Sequence, residues 1–183
     1  MTAMNYCNQC GAPVSLLVPA GDSVLRHVCQ SCDTVHYLNP KLVVGCIPEW
    51  EGRILLCRRA IEPRYGRWTL PAGFMENGET TSQGAARETL EEACARVEIG
   101  ELFSLVNVSH IDQVHLFYRG KMLDNEFSPG IESLETALFS EADIPWQELA
   151  FRSVTLCLQA YFRDRAIGHF GFHEENLLPQ AGY

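Results

Sequence analysis

Two Cys-x2-Cys pairs, Cys7-Asn-Gln-Cys10 and Cys29-Gln-Ser-Cys32, stand eighteen residues apart near the start of the chain. Each pair can place two thiolates on one tetrahedral zinc ion, and the residues between them then form a hairpin that brings the pairs together. Gly11 suits the tight turn that such a knuckle needs. Either pair alone would also suit a redox dithiol, but two matched pairs at this spacing argue for one shared metal. A closed four-thiolate site has no open coordination position, so its role is structural rather than catalytic. Residues 1–40 otherwise hold short apolar runs among Gly, Pro and Asn turn residues. A segment of about 40 residues needs a staple to fold. A zinc ribbon held by Cys7, Cys10, Cys29 and Cys32 is therefore expected over residues 1–40.

The other four of the eight cysteines, Cys46, Cys57, Cys94 and Cys157, fall in expected strands and helices and read as small buried hydrophobes. The N-terminus has neither the basic nor the apolar region of a secretory signal. No run of about 18 apolar residues is present to span a membrane. A cytoplasmic protein with no membrane partner is the expectation, and disulfides are rare in that compartment. A formal net charge of −9 argues against nonspecific nucleic-acid binding, which needs a basic surface to displace counterions. It leaves room for a phosphate-bearing small molecule, provided that a bound cation reverses the local field.

From Lys41 the pattern changes to that of a mixed domain of helices and strands, expected over residues 41–183. Leu42–Ile47 and Arg53–Cys57 read as strands joined by a turn at Glu51-Gly52. Thr80 to Ala95 reads as a helix with Thr80 or Thr81 available as cap. Val97–Val108, Val114–Leu123 and Glu135–Phe139 read as further strands. Pro145 to Arg165 reads as a second helix, with Leu149, Val154, Leu158 and Phe162 on one stripe.

The first of these helices carries a concentration of charge. Glu88, Glu91 and Glu92 occupy positions i, i+3 and i+4, so three carboxylates emerge from one face within a turn. Like charges at that spacing repel, and a solvated acidic face is the bland alternative. A hard divalent cation such as Mg²⁺ or Mn²⁺ prefers such oxygen ligands on a rigid element. The preceding loop, with Gly73 and Gly78, can approach a phosphate closely and can offer the Gly73 carbonyl to a metal. Glu79 and Arg87 stand at opposite ends of this loop–helix unit, where an ion pair would clamp it.

The interval G-x5-E-x7-R-E-x2-E-E, filled by Gly73, Glu79, Arg87, Glu88, Glu91 and Glu92, resembles the Nudix box, the signature of hydrolases that act on nucleoside diphosphates linked to another moiety. Cys94 stands where glycine is usual, and Thr89 and Ala95 where larger aliphatics are usual. The resemblance implies an α/β/α sandwich around a mixed sheet, an α+β fold preceded by the ribbon. It implies Glu88, Glu91 and Glu92 as catalytic metal ligands, joined by the Gly73 carbonyl, with Glu79 and Arg87 as the clamp. It also implies a homodimer. The general base of this family varies in place and often lies outside the box; Glu132 and Glu135 are the candidates here, with Glu135 taken as the catalytic one, and an ordinary surface carboxylate as the competing reading for each.

The same resemblance implies water attack on one phosphorus, releasing a nucleoside monophosphate and a phosphorylated remainder. Tyr65, Trp68 and Phe74 are placed to stack a base or an isoalloxazine ring, although such residues more often simply serve the core. Arg58, Arg59, Arg64 and Arg67 are conspicuous in an acidic chain and can meet substrate phosphates, Arg67 being the one assigned to substrate. The downstream motif of NADH pyrophosphatases is replaced here by Ser104-Leu-Val-Asn-Val-Ser-His-Ile-Asp-Gln113, and the proline frequent in ADP-ribose pyrophosphatases is missing around His110. His36-Tyr-Leu-Asn-Pro-Lys41 and Arg67 to Thr80 instead resemble a ribbon-bearing group described as ADP-ribose or FAD pyrophosphatases. ADP-ribose or FAD is thus the expected substrate. NADH cleavage, RNA-cap removal and a non-catalytic nucleotide sensor are the alternatives.

Overall fold

The computed structural model describes residues 4–178 and divides the chain into two compact units, Met1–Pro40 and Lys41–Tyr183. The first unit holds a three-stranded antiparallel sheet of β1 (Val14–Leu17), β2 (Arg26–Cys29) and β3 (Val35–His36) in that order. Gly11 takes φ 74° and donates its N–H to the Cys7 carbonyl at 2.9 Å, closing the first knuckle. That left-handed turn is one that a side chain would resist. Very little apolar surface is buried here. Cys7, Cys29, His27 and His36 are the buried ones among the described residues, while Leu16, Leu17, Val24 and Leu25 remain exposed.

The second unit is built on a mixed sheet. β4 (Lys41–Trp50), β5 (Arg53–Arg59), β6 (Trp68–Thr69) and β7 (Ala72–Phe74) precede helix α1 (Thr81–Ala93). β8 (Val97–Val108), β9 (Gln113–Met122) and β10 (Ser133–Phe139) follow, then helix α2 (Arg152–Ile167) and β11 (His173–Asn176). The strand order is β10-β5-β4-β9-β8-β11, with β6 on β5 and β7 on β4. β4 is central: it runs parallel to β9 and antiparallel to β5 and β7. Its buried stretch from Val44 to Pro48 is nearly continuous, as a strand covered on both faces should be. Glu51 and Gly52 both have positive φ, 49° and 77°, the geometry of a two-residue hairpin turn that matches strand twist.

The layering follows from the period of two along β5. Ile54 and Leu56 enter a core cluster with Val154, Cys157, Leu158 and Tyr161 of α2. Leu55 and Cys57 enter the opposite cluster with Ala93, at the end of α1, and Met122. Alternate residues of one strand thus serve two faces, and the sheet is sandwiched between two helices. Among the described residues, no helix is long and apolar enough to cross a membrane.

Helix α1 starts with a reciprocal cap. The Gln83 N–H donates to the Thr80 hydroxyl at 3.2 Å, and the Thr80 N–H donates to the Gln83 side-chain oxygen at 2.8 Å. It ends at Cys94, which takes a left-handed conformation with φ 49°. Cys94 is exposed, which corrects the expectation that it is buried; Cys46, Cys57 and Cys157 are buried. The second helix begins seven residues later than expected, at Arg152 instead of Pro145. Residues 146–148 form a 3-10 turn, and the segment after it is held by strand-like pairing: the Ala150 N–H donates to the Trp68 carbonyl at 2.8 Å. Leu149, which bridges Trp68, therefore lies outside the helical stripe.

Candidate active site and metal centres

In the first unit the two knuckles meet. The sulphur atoms of Cys7, Cys10, Cys29 and Cys32 all lie within 4.8 Å of one another. Cys7 and Cys32 are 3.7 Å apart, and Cys10 and Cys29 are 3.5 Å apart. A tetrahedron with metal–sulphur bonds of about 2.3 Å has edges of roughly 3.8 Å, so the donor set fits zinc. The Cys32 sulphur also lies 3.1 Å from the Thr34 hydroxyl.

In the second unit a cleft of about 1280 Å³ opens over the second half of α1 and the loops around it. Glu88, Glu91 and Glu92 all line it. Glu92 is buried, and its carboxylate accepts the Ala72 N–H at 3.1 Å. Burial pushes its carboxyl up to about 8, with the neighbouring Glu88 and Glu132 charges adding to the effect. Glu88 is also buried and raised, chiefly by desolvation, against the lowering pull of Arg87. Glu91 is exposed.

Arg87 organises this face. Its guanidinium donates to Glu79 at 2.8 and 3.0 Å, to Glu88 at 2.8 Å and to Glu91 at 3.0 Å. Glu79 in turn accepts the Glu76 N–H at 2.7 Å and is held down near 2, first by Arg87. One cation thus offsets the repulsion among three acids and ties the Gly73–Gly78 loop to the helix. Gly73 pairs with Val44 in the sheet, and a Cβ there would lie 2.4 Å from a Glu88 carboxylate oxygen. The carboxylate occupies the space that a side chain would need. Two desolvated carboxyls beside an exposed third are the donor chemistry that suits a hard divalent cation.

The remaining expected site residues separate into those that reach the cleft and those that do not. Phe74 is half exposed, lines the cleft and has the Lys41 ammonium 5.0 Å from its ring centre. Arg67 lines it too and donates to the Gln147 carbonyl at 2.8 Å. Trp68 does not: its indole is buried in the core, edge-on to Phe139 at 4.9 Å, so it is not free to stack on a ligand. Tyr65 is exposed and lies outside the cleft lining. Glu135 also lies outside it, on β10, pairing with Arg58 at 3.5 Å. Glu132, three residues earlier, lines the cleft. A bulge between Ser133 and Glu135 shifts the register, which sequence alternation does not reveal.

The segment before β10 is docked on the end of α1. The Ser128 N–H donates to the Ala93 carbonyl at 2.9 Å, and the Gly130 N–H donates to the Glu92 carbonyl at 3.0 Å. A Cβ on Gly130 would lie 1.7 Å from the Glu91 carbonyl oxygen, so only glycine permits this approach. The sequence reading missed Gln113, His115 and Ser153, which line the cleft in a hydrogen-bonded row of 2.9 Å links. Burial pushes His115 down to about 4, keeping it neutral. Their separation along the chain left no local signal of this grouping.

Comparison with known proteins agrees with this geometry. Residues 5–38 match the family model of the Nudix N-terminal zinc ribbon, and residues 39–156 match that of the NUDIX domain. An NAD-capped RNA hydrolase of Photobacterium profundum is 30% identical over 142 residues, covering 75% of this chain. The chain spans half the length of that relative, 50%. An ADP-ribose pyrophosphatase of Methanocaldococcus jannaschii is 29% identical over 119 residues, 63% of this chain and 69% of the relative. The crystal structure of a NUDIX hydrolase from Nitrosomonas europaea is 55% identical and superposes with a TM-score of 0.93, covering 95% of this chain and 99% of that one.

Proposed function

The chain belongs to the NUDIX hydrolase family, and on that premise we propose that it cleaves the pyrophosphate bond of ADP-ribose or FAD, giving AMP and a phosphorylated remainder. The observation that carries this reading is a single cleft in which Glu88, Glu91 and Glu92 share the lining with Arg59, Arg64 and Arg67. Acids of that kind hold cations, and arginines meet phosphate oxygens. The volume, about 1280 Å³, exceeds the roughly 300–1,000 Å³ typical of sites for drug-sized ligands and has room for a dinucleotide.

Glu88, Glu91, Glu92 and the Gly73 carbonyl would hold Mg²⁺ or Mn²⁺. Such an ion, when bound, neutralises phosphate oxygens and makes a coordinated water more acidic. The protein's own groups do the rest. The Ala72 N–H fixes Glu92, and Arg87 fixes Glu88, so the carboxylates are oriented before substrate arrives. Glu132, facing the same carboxylates, takes the proton of the attacking water in place of Glu135. Phe74 offers an exposed ring for stacking a base or flavin. The ADP-ribose pyrophosphatase relative supports the choice of substrate, and the NAD-capped RNA hydrolase relative makes NADH the comparison to include.

Product chromatography tests the proposal. The protein is supplied with Mg²⁺ or Mn²⁺ and with FAD, ADP-ribose, NADH or diadenosine polyphosphates, beside Glu92→Gln, Glu132→Gln and Glu135→Gln variants. AMP should be released from ADP-ribose or FAD, lost in Glu92→Gln, reduced in kcat by Glu132→Gln and retained in Glu135→Gln. Tight binding of a nucleotide with no cleavage would instead make the protein a sensor.

A further inference from the structure

Sheet register brings an aromatic and a polar side chain to one floor of the cleft. Phe74 of β7 pairs with Val43 of β4, and Val43 pairs with His115 of β9. Residues paired in this way point to the same side of a sheet, and Gln113, two residues before His115, shares that side. Val44 packs instead against Gly84 of α1, so the row faces α2, where His115 meets Ser153. Val43, Phe74, Gln113 and His115 all line the cleft. Neighbouring strands lie about 4.8 Å apart, so Phe74 and His115 stand roughly 10 Å from each other across Val43.

The polar row of Gln113, His115 and Ser153 has a single direction. Burial keeps His115 neutral, so its ring has one N–H to give. The Gln113 side-chain oxygen can only accept, so Nε2 of His115 donates to it at 2.9 Å. The bare Nδ1 then accepts from the buried Ser153 hydroxyl at 2.9 Å. The Gln113 amide is thereby held by its oxygen, and its two N–H donors have no partner among the described residues. Gln113 is only half buried, so those donors open to the cleft. An amide already fixed by buried neighbours gives up little further freedom when an acceptor meets it.

The surroundings select what that acceptor belongs to. Val108 is in register with Gln113 on its other side and lines the cleft with Val43, and the imidazole between them carries no charge. Lys41, also in register with Gln113, does not line the cleft and has its ammonium over the Phe74 ring. A half-exposed phenyl ring, a flat valine floor and a neutral pair of donors fit a planar nitrogen heterocycle. Its face can stack, and a ring nitrogen or carbonyl oxygen at its edge can accept. Resting on the reading of this cleft as a nucleotide site, we propose that Gln113 is a specificity-determining donor to such a ring, seated between it and Phe74. His115 and Ser153 are then positioning residues, which touch no ligand and fix the Gln113 amide. Adenine and isoalloxazine both have this chemistry.

The test is calorimetric titration of the zinc-loaded protein, with Mg²⁺ present, by AMP, FMN and ribose 5-phosphate. None of the three has a pyrophosphate bond, so binding is read apart from turnover. Gln113→Met removes the donors at nearly unchanged length and charge, and His115→Phe keeps a ring but releases the Gln113 amide. In Gln113→Met, AMP or FMN should bind roughly five- to tenfold more weakly, the scale of a lost hydrogen bond, while ribose 5-phosphate keeps its affinity. Loss for AMP alone places adenine in the seat, loss for FMN alone places isoalloxazine there, and loss for both means that either ring is taken. His115→Phe should show the same pattern to a smaller extent; if it fails to fold, Gln113→Met decides alone. The assignment is overturned if the wild type binds neither AMP nor FMN, or if Gln113→Met binds both as the wild type does. An equal loss for ribose 5-phosphate overturns it too, since that marks a general disturbance of the cleft. Gln113-dependent ring binding without hydrolysis of any dinucleotide would keep the seat and sink the hydrolytic reading; hydrolysis with Gln113-independent binding would do the reverse.

Discussion

The ribbon and the acidic helix both present clustered ligands, but they stand in opposite relations to the metal. In residues 1–40 the four sulphurs already converge within 4.8 Å, and almost nothing else is buried. A zinc ion held there would replace a hydrophobic core. Beyond Lys41 the core is apolar, built from Ile47, Leu56, Phe103, Phe117 and Leu158 among others. Its carboxylates are an electrostatic burden on that core, shared out through Arg87. A structural site stabilises the fold that makes it, whereas a working site is held in place at a cost to the fold around it.

The largest consequence concerns zinc. Cys29→Ser should release the ion and unfold residues 1–40, because structural zinc contributes about 10–16 kcal/mol in small zinc modules. Residues 41–183 should keep their own melting transition. Zinc content, limited proteolysis and amide spectra measure both halves, and a ribbon that stays protected without zinc would break the contrast.

The second consequence has the opposite sign. Burial holds Glu92 up at about 8, so between about 4.5 and about 8 the folded protein keeps a proton that the unfolded chain has released. Stability of the protein without divalent cation should therefore fall as pH rises through that window, by up to roughly 1.4 kcal/mol per pH unit. Glu92→Gln should flatten the dependence and raise Tm at pH 8, while lowering kcat on the order of 100-fold, the scale of losing one charge-stabilising active-site group. Thermal melts across pH, with the ribbon zinc retained, check it; a Tm that falls in Glu92→Gln would mean the carboxylate stabilises its surroundings after all.

The smallest effect sharpens the comparison between the two sets of cysteines. Cys94 occupies a left-handed cap at φ 49°, its N–H donating to the Leu90 carbonyl at 2.9 Å, and it is exposed. That conformation costs an ordinary residue roughly 1–2 kcal/mol, partly offset by the greater freedom of an unfolded glycine, so Cys94→Gly should stabilise by about 0.5–1 kcal/mol. A denaturation midpoint measures it. A cysteine of the ribbon cannot be exchanged on such terms.

What could be read in the sequence was whatever depends on short intervals. The knuckle spacing, the Glu51-Gly52 hairpin, the Thr80 cap and the i, i+3, i+4 carboxylates are each fixed by neighbours within a turn or two. What escaped depends on distant partners. The start of α2 is set by a bond from Ala150 to Trp68, and Trp68 is claimed by the core through Phe139. Glu132 lines the cleft and Glu135 does not, and the two stand on either side of a bulge in β10. The row of Gln113, His115 and Ser153 joins a strand to a helix forty residues away, beyond any local pattern.

The tether from Ser128 and Gly130 to the last carbonyls of α1 gives the site a common frame of reference. Glu132 sits two residues beyond the bond that anchors Gly130 to Glu92, so the proposed base and the proposed ligands are measured from the same piece of backbone. A shift of the helix would carry Glu88, Glu91, Glu92 and Glu132 together and leave their spacing intact. The loop between β5 and β6 joins that frame at its first residue, where the Ala60 N–H donates to the Glu132 carbonyl at 2.8 Å, while its tip carries Arg64 into the cleft lining. Changes of length or sequence there can retune which molecule is admitted while the distance between acid and base stays as it is, which makes that loop the natural place to alter substrate choice without rebuilding the chemistry.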